Sequence, residues 1–308
     1  MIILKRIFLK AVLFAAAPAC MFLIGISLQA AEEISWPIFR GDRSLSGRTS
    51  GRLPEKLKLL WSFKTDDEIK SSPVIGAGRV FIGSMDGKVY ALTLSEGKKI
   101  WEFDTESAVE APPLLVQNSV YIGSLDGVFF AIDAASGKLK WKYETGNRIS
   151  GSANWIPAVK GKGTWILVGS YDNVLHAVDS ETGKKIWTYQ TENYINGSPA
   201  ISADDSIDGG PVIVFGGCDM RIHVVSARKG LKIATIDTES YIAASAAIAD
   251  DQVFVGNYAG QLIRIDLTKR EKVWEFWNEE TGAPFFFIPC DREEQYYSRV
   301  KGRYALQC

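Results

Sequence analysis

The sequence predicts an all-β fold: a β-propeller of four-stranded antiparallel blades, about five complete and a sixth incomplete, with the ring left open. Three markers that keep step with one another predict it. The first, "GSMDGKVYAL" at Gly83, returns as "GSLDGVFFAI" at Gly123, "GSYDNVLHAV" at Gly169, "GGCDMRIHVV" at Gly216 and "GNYAGQLIRI" at Gly256, at spacings of 40, 46, 47 and 40 residues. The second is an outer-strand tryptophan: "KLKLLWSF" with Trp61 opens a series continued by Trp101, Trp141, Trp187, a degenerate "GLKIATI" with Ala234, and Trp274. The third precedes each unit, as "KSSPVI" at Lys70, "EAPPLL" at Glu110, "SGSANW" at Ser150, "NGSPAI" at Asn196 and "AASAAI" at Ala243. Four strand-length runs in a little over forty residues, with no helical period, are what a propeller blade requires.

The elements follow in chain order. Residues 1–30 read as a secretory signal peptide: Lys5, Arg6 and Lys10 precede an uncharged run from Ala11 to Ala30, small residues offer a cleavage point after Ala30 or Ala31, and Glu32 and Glu33 come next. The run is nearly long enough to span a bilayer, so an uncleaved membrane anchor is the alternative, which Pro18 in its middle disfavours. Residues 31–56 form a lead-in segment, and residues 57–277 hold the blades. Within a blade, a β-branched run ("PVIGAG") is followed by an alternating one ("RVFIGS"), a tight turn, "KVYALT", a Gly-bearing turn and "KKIWEFDT". Asp86-Gly87 and Asp126-Gly127 suit the tight turn because glycine adopts positive φ without a Cβ clash, and Asn173 tolerates it in the third blade.

Composition narrows function by exclusion. Setting Lys5, Arg6 and Lys10 aside from 35 basic residues leaves 32 against 36 acidic ones, a formal charge of about −4, and no basic cluster invites nucleic acid. Cys20, Cys218, Cys290 and Cys308 form no CxxC or adjacent pair, so neither a zinc site nor a disulfide framework is indicated. There is no nucleophile elbow and no P-loop.

The markers resemble the PQQ-like β-propeller repeat family, whose blades carry a "DGxxYAL" element followed by "tGkxxWxy"; the likeness runs from Leu57 to Trp277. "SWPIFRGD", Ser35 to Asp42, is similar to the "WPxFRG" lead-in of a secreted bacterial branch. The resemblance implies that Trp61, Trp101, Trp141, Trp187 and Trp274 dock each blade on its neighbour. It also brings two functional expectations. Quinone-dependent alcohol dehydrogenases of this kind are longer, hold calcium and the quinone on the propeller axis with carboxylate and Asn ligands, and carry an adjacent Cys pair that this chain lacks. The scaffold propeller of the outer-membrane protein assembly machinery has the same repeats and no catalytic set. The expectation is therefore an exported, non-enzymatic scaffold of the bacterial cell envelope, secreted or periplasmic, binding envelope proteins or peptides and needing no cofactor. A PQQ- and calcium-dependent dehydrogenase, or its remnant, is the alternative.

Candidate residues follow from the repeat. Lys70, Glu110, Ser150, Asn196 and Ala243 occupy one variable slot between near-constant neighbours, where the chain enters the innermost strands, and are expected to ring the mouth of the central channel. His176 and His223 fall in the slot of Tyr90 and Phe130 and read as packed aromatic substitutes, with no catalytic or metal role expected. Trp155 and Trp165 flank "KGKGT" and offer either a loop contact or packing beneath the loop, and "SADDSIDGG" (Ser202 to Gly210) reads as a solvated insertion.

Residues 278–308 break the pattern where "SSP" is due. Shifted forward by one nucleotide, the codon bridging Phe287 and Ile288 encodes Leu or Ser, that bridging Cys290 and Asp291 encodes Ala or Val, and the whole stretch permits "SSPVIGKNNIILGSRDGMLY", gap-free against "SSPVIGAGRVFIGSMDGKVY" from Ser71. The tail is expected to be a sixth blade read out of frame.

Overall fold

A computed structural model describes residues 35–52, 55–158, 163–202 and 209–277, and the backbone of two further strands, Tyr296–Val300 and Arg303–Gln307. The expected signal peptide at residues 1–30, most of the "SADDSIDGG" insertion and the start of the expected frameshifted tail fall outside the described residues. The described residues contain no α-helix. They form five four-stranded antiparallel sheets, each built from consecutive strands in simple up-and-down order.

The first blade is β1 (Val74–Gly76), β2 (Arg79–Gly83), β3 (Lys88–Thr93) and β4 (Lys99–Asp104). The second is β5 (Leu114–Val116), β6 (Ser119–Gly123), β7 (Val128–Asp133) and β8 (Leu139–Glu144). The third is β9 (Asn154–Pro157), β10 (Thr164–Gly169), β11 (Val174–Asp179) and β12 (Lys185–Gln190). The fourth is β13 (Ala200–Ile201), β14 (Val212–Gly216), β15 (Arg221–Ser226) and β16 (Lys232–Asp237), and the fifth is β17 (Ala247–Ala249), β18 (Gln252–Gly256), β19 (Gln261–Asp266) and β20 (Glu271–Trp277). The remaining pair, β21 (Tyr296–Val300) and β22 (Arg303–Gln307), makes a separate two-stranded sheet that joins no blade, and the ring is not closed.

The turn between the second and third strands of each blade is built as the sequence asks. Gly87, Gly127, Asn173 and Gly260 have φ of 84°, 88°, 71° and 77°, and Met220 is forced to 64° in the same slot. The turn aspartate accepts the N–H two residues on, as in Asp86 to Lys88 and Asp172 to Val174, both at 3.0 Å. Third and fourth strands share a bulge in every blade, at Ala91/Leu92, Ala131/Ile132, Ala177/Val178, Val224/Val225 and Arg264/Ile265. The extra residue stands immediately before the tryptophan slot, and the local twist of a bulge re-aims that side chain.

Blades lock together through the tryptophans. The indole N–H of Trp61 donates to Leu94 O at 2.9 Å, that of Trp101 to Ala134 O at 3.1 Å and that of Trp141 to Ser180 O at 3.0 Å, each in the next blade. Each ring lies against a glycine of that blade's last turn: Trp61 on Gly97, Trp101 on Gly137, Trp141 on Gly183 and Trp187 on Gly230. A Cβ on Gly137, Gly183 or Gly230 would come within 2.8, 2.7 or 2.6 Å of the indole. Where the fourth blade has Ala234 instead of Trp, the fifth has Arg270 at the matching turn position, in the same left-handed conformation (φ 62°). Trp274 is half-buried beside Phe254, with ring centroids 6.4 Å apart.

The lead-in is more than a leader to the blades. Trp36 pairs with Ile75 of β1 through two backbone bonds of 2.8 and 2.9 Å, and Leu115 of β5 donates to Pro37 O at 2.7 Å. Ile201 of β13 donates to Arg43 O at 2.8 Å, and Ile248 of β17 to Ser44 O at 2.9 Å. In the third blade the Asn154 side chain bridges the gap, donating to Arg43 O at 2.7 Å and accepting from Trp155 N–H at 2.8 Å. These are equivalent positions of the five innermost strands, so residues 36–45 run along the axis those strands surround. Ile38 and Leu45, 2% and 0% exposed, join the same apolar cluster as Leu114, Ala200 and Ile248.

Trp155 and Trp165 sit on the paired strands β9 and β10 and pack against the core from there; Arg43 lies over the Trp155 ring at 4.9 Å. Neither is a loop aromatic.

Candidate functional site

The five candidate positions stand one or two residues before hydrogen bonds that join the first blade to the second, the third to the fourth and the fourth to the fifth. Ser71 Oγ donates to Ala111 O at 3.0 Å, which sets Lys70 beside Glu110 on the first two blades. On the other side, Ser152 N–H donates to Ser198 Oγ at 2.9 Å and Ser198 N–H to Ser245 Oγ at 2.8 Å, so Ser150, Asn196 and Ala243 follow one another on the third, fourth and fifth blades. Small residues are required beneath them: a Cβ on Gly151 would be 2.8 Å from Gly197 O, and one on Gly197 would be 2.8 Å from Ala244 O. Lys70 is engaged by Glu68 at 2.9 Å, and that hydrogen bond, the charge of Glu68 and then that of Glu110 raise its pKa.

Two further slots border the ring and were not singled out in the sequence. The N–H groups of Met85, Leu125, Tyr171, Cys218 and Tyr258 donate to the carbonyls of Glu68, Ala108, Arg148, Tyr194 and Tyr241, all between 2.9 and 3.0 Å. In the third to fifth blades these slots gather aromatic and cationic side chains. Arg148 lies 4.4 Å over the Tyr171 ring, and Tyr171 stacks on Tyr194 with centroids 4.9 Å apart and planes 16° from parallel. The Tyr171 hydroxyl donates to Asn196 Oδ1, tying this ladder to the ring. Tyr194, Tyr241 and Tyr258 are 43%, 49% and 46% exposed, unusual for side chains of that area in an ordered rim. Burial pushes the Tyr171 hydroxyl pKa up against the charge of Arg148 and the Ser150 hydroxyl, so it stays a neutral donor; burial, then Asp219, pushes the Cys218 thiol up and keeps it protonated. The signal that would have found these residues is variability again: the slot holds Glu68, Ala108, Arg148, Tyr194 and Tyr241 in successive blades, while the glycine that opens the "GSMDG" marker recurs in all five.

The two histidines lie between blades, each four residues past a turn aspartate. Both imidazoles are buried in the aromatic slot, His176 edge-on to Tyr143 (5.5 Å, 69°) and His223 stacked on Phe215 (5.0 Å, 13°). Each also has a carboxylate that the sequence reading did not place beside it: His176 Nε2 is 3.0 Å from Asp172 Oδ2, and His223 Nε2 is 2.9 Å from Asp219 Oδ2. The other ring nitrogen meets a tyrosine of the preceding blade, Tyr143 Oη or Tyr189 Oη, at 3.0 Å in both cases. The result is a Tyr–His–Asp chain at two consecutive interfaces, satisfied internally.

Repeat, blade lock and topology define a PQQ-like β-propeller. The family profile described as outer membrane protein assembly factor BamB matches residues 54–276, and the chain belongs to that family. None of the curated proteins matches the chain in sequence. Among solved structures it is similar to BamB from Moraxella catarrhalis, with TM-score 0.59 and 22% identity over 70% of this chain and 64% of that one. It is similar also to a quinohemoprotein alcohol dehydrogenase from Pseudomonas putida (TM-score 0.65, 16% identity, 85% of this chain and 53% of that one). A third is the quinohemoprotein alcohol dehydrogenase of Comamonas testosteroni (TM-score 0.65, 16% identity, 81% and 51%). The chain thus spans between about half and 64% of the length of these structures, and at such identities the likeness concerns the fold.

Proposed function

We propose that the chain is a non-enzymatic scaffold of the bacterial cell envelope that binds a protein partner on its channel mouth. The observation that carries this reading is the ladder of Arg148, Tyr171 and Tyr194, continued by exposed Tyr241 and Tyr258. Tyrosine and arginine on a rigid framework supply contact area and hydrogen bonds at low entropic cost, which suits a protein interface. Family membership and the assembly role named for BamB point the same way. No helix among the described residues is long and apolar enough to cross a membrane, and an exported chain would reach its partner through the N-terminal signal.

The dehydrogenase alternative fits the axial residues poorly. The axis, where the resemblance puts quinone and calcium, is filled by Ile38, Leu45 and their neighbours, and no group of three His, Cys, Asp or Glu residues among those described could hold a metal. A photo-crosslinking residue at Tyr194 or Tyr241 is expected to give discrete protein adducts in living cells, and one at Lys142 on the outer strand of the second blade is not. Equal labelling from both faces would sink the rim as the partner surface. A saturable rise in melting temperature with quinone and calcium would overturn the non-enzymatic reading.

A further inference from the structure

The lead-in that fills the axis carries a guanidinium with no counter-charge among the described residues. Arg40 Nη1 donates to Ser245 O at 3.0 Å, and the group lies 4.9 Å over its own Phe39 ring. No carboxylate among the described residues lies within ion-pair distance of it. Asp42, two residues on, is engaged by the Ser46 hydroxyl and by its N–H at 3.1 Å. An arginine has five N–H donors, and a buried cation is ordinarily paired. Burial alone pushes the Arg40 pKa down to about 10, so the group is still charged at neutral pH. Its backbone is held in the left-handed region (φ 61°), followed by Gly41 (φ 87°) with the Trp36 ring packed where a Cβ would stand. A strained, over-determined conformation thus presents a half-buried guanidinium, desolvated but not sealed.

Its position relates it to the ring. Ser245, which Arg40 touches, stands two residues after Ala243, the smallest of the ring side chains, and Ser245 Oγ accepts from Ser198, two residues after Asn196. Asn196 spends its carbonyl on the Tyr171 hydroxyl, and its amide N–H groups have no partner among the described residues. The guanidinium is thus fixed to the segment that follows Ala243 on the fifth blade, and the Asn196 carboxamide stands at the matching place on the fourth, the two segments being joined by the Ser198–Ser245 bond.

We propose that Arg40 is the floor of an anion seat at the channel mouth, and that it receives a carboxylate of the partner polypeptide, from an acidic side chain or a chain terminus. A planar guanidinium fork matches a carboxylate in two parallel hydrogen bonds, and desolvation strengthens them. The proposal rests on the scaffold reading, but its test does not use the crosslinks, so the two can fail separately.

The test is calorimetric titration with acetyl-Glu-Glu-amide, acetyl-Gln-Gln-amide, acetyl-Gln-Gln with a free carboxyl terminus, and inorganic phosphate. Saturable binding of either carboxylate peptide, weakened about tenfold or more by Arg40→Gln and unchanged by Arg43→Gln, is the expected result. Equal binding to Arg40→Gln, or binding of the neutral peptide as tight as that of the acidic one, overturns the seat; phosphate binding tighter than both carboxylates overturns the carboxylate as its ligand. Melting temperature adds a readout that a structural arginine would move the other way. Removing an uncompensated cation leaves Arg40→Gln at least as stable as the parent, whereas a lowered melting temperature would mean that Arg40 holds the fold together rather than waiting for a partner. Arg40→Lys keeps the charge without the fork, and is expected to fold and to lose most of the binding.

Discussion

Asp172 and Asp219 carry the clearest single-residue prediction. Burial would raise each carboxyl pKa, but the hydrogen bond from the neighbouring imidazole, a backbone N–H and the imidazole's charge outweigh it, so both lie below the usual value. A carboxyl depressed in the folded state contributes stability that is present above its unfolded pKa, about 4, and is lost as pH falls through the folded one. Denaturant titrations from pH 7 down to 3 should therefore show a falling stability that is shallower in an Asp172→Asn, Asp219→Asn double variant; parallel acid limbs would remove the two pairs as its source. At pH 7 each single variant is expected to cost about 1–3 kcal/mol through the weakened buried hydrogen bond. The repeat alignment put both histidines in an aromatic slot, where they are. It hid the carboxylates, because an Asp in a tight-turn slot reads as turn chemistry, and only the hairpin brings its second oxygen over the side chain four residues on.

Between blades, the tryptophan and the glycine it covers act as one element. Trp141→Ala should cost about 3 kcal/mol, the low end for a large aromatic because the indole is only partly buried, measured by denaturant midpoint. Trp141→Phe removes the 3.0 Å bond to Ser180 O and should cost about 1 kcal/mol beyond the packing change, whereas Trp187→Phe should lack that increment, because the buried Trp187 Nε1 has no hydrogen-bond partner. The interface between the fourth and fifth blades supplies a coupled test. Ala234→Trp alone is expected to destabilise, since any Cβ at position 270 stands where the indole must lie, and to be tolerated with Arg270→Gly; additive effects of the two changes would break the steric link. The tryptophan half of this device was legible in the sequence as a spaced marker. Its glycine half was not read as such, since a glycine in a turn is already explained by its φ, and close approach adds no separate signature.

For the molecule as a whole, the repeat made the blades legible, because period and turn chemistry agree at every level. The path of the lead-in was not legible: "SWPIFRGDRSLSG" has no strand alternation, and its bonds go to residues far along the chain. Deleting residues 35–47 should leave inner-edge N–H groups of four blades unpaired and the core without Ile38 and Leu45, giving a broad, non-cooperative melt and rapid proteolysis; a sharp transition at the parent temperature would show the axis to be dispensable. Both ends of the array are apolar and open: Leu57, Leu59 and Leu60 are 73%, 86% and 80% exposed at one, and Val273 and Trp277 46% and 57% at the other. Such edges favour association, so light scattering should rise with concentration and fall when Leu59 and Leu60 are replaced by Lys. We further propose that the tail is a frameshifted blade, which the nucleotide sequence across Phe285 to Phe287 decides directly. The axial lead-in also has a consequence in time. The bond from Arg40 to Ser245 spans 205 residues of chain, which a ribosome adds over about 10–40 s. Until those residues are made, the lead-in has no fifth blade to close on. Completion waits on the fifth blade, and the half-made axis is a natural point of capture for whatever escorts the nascent chain.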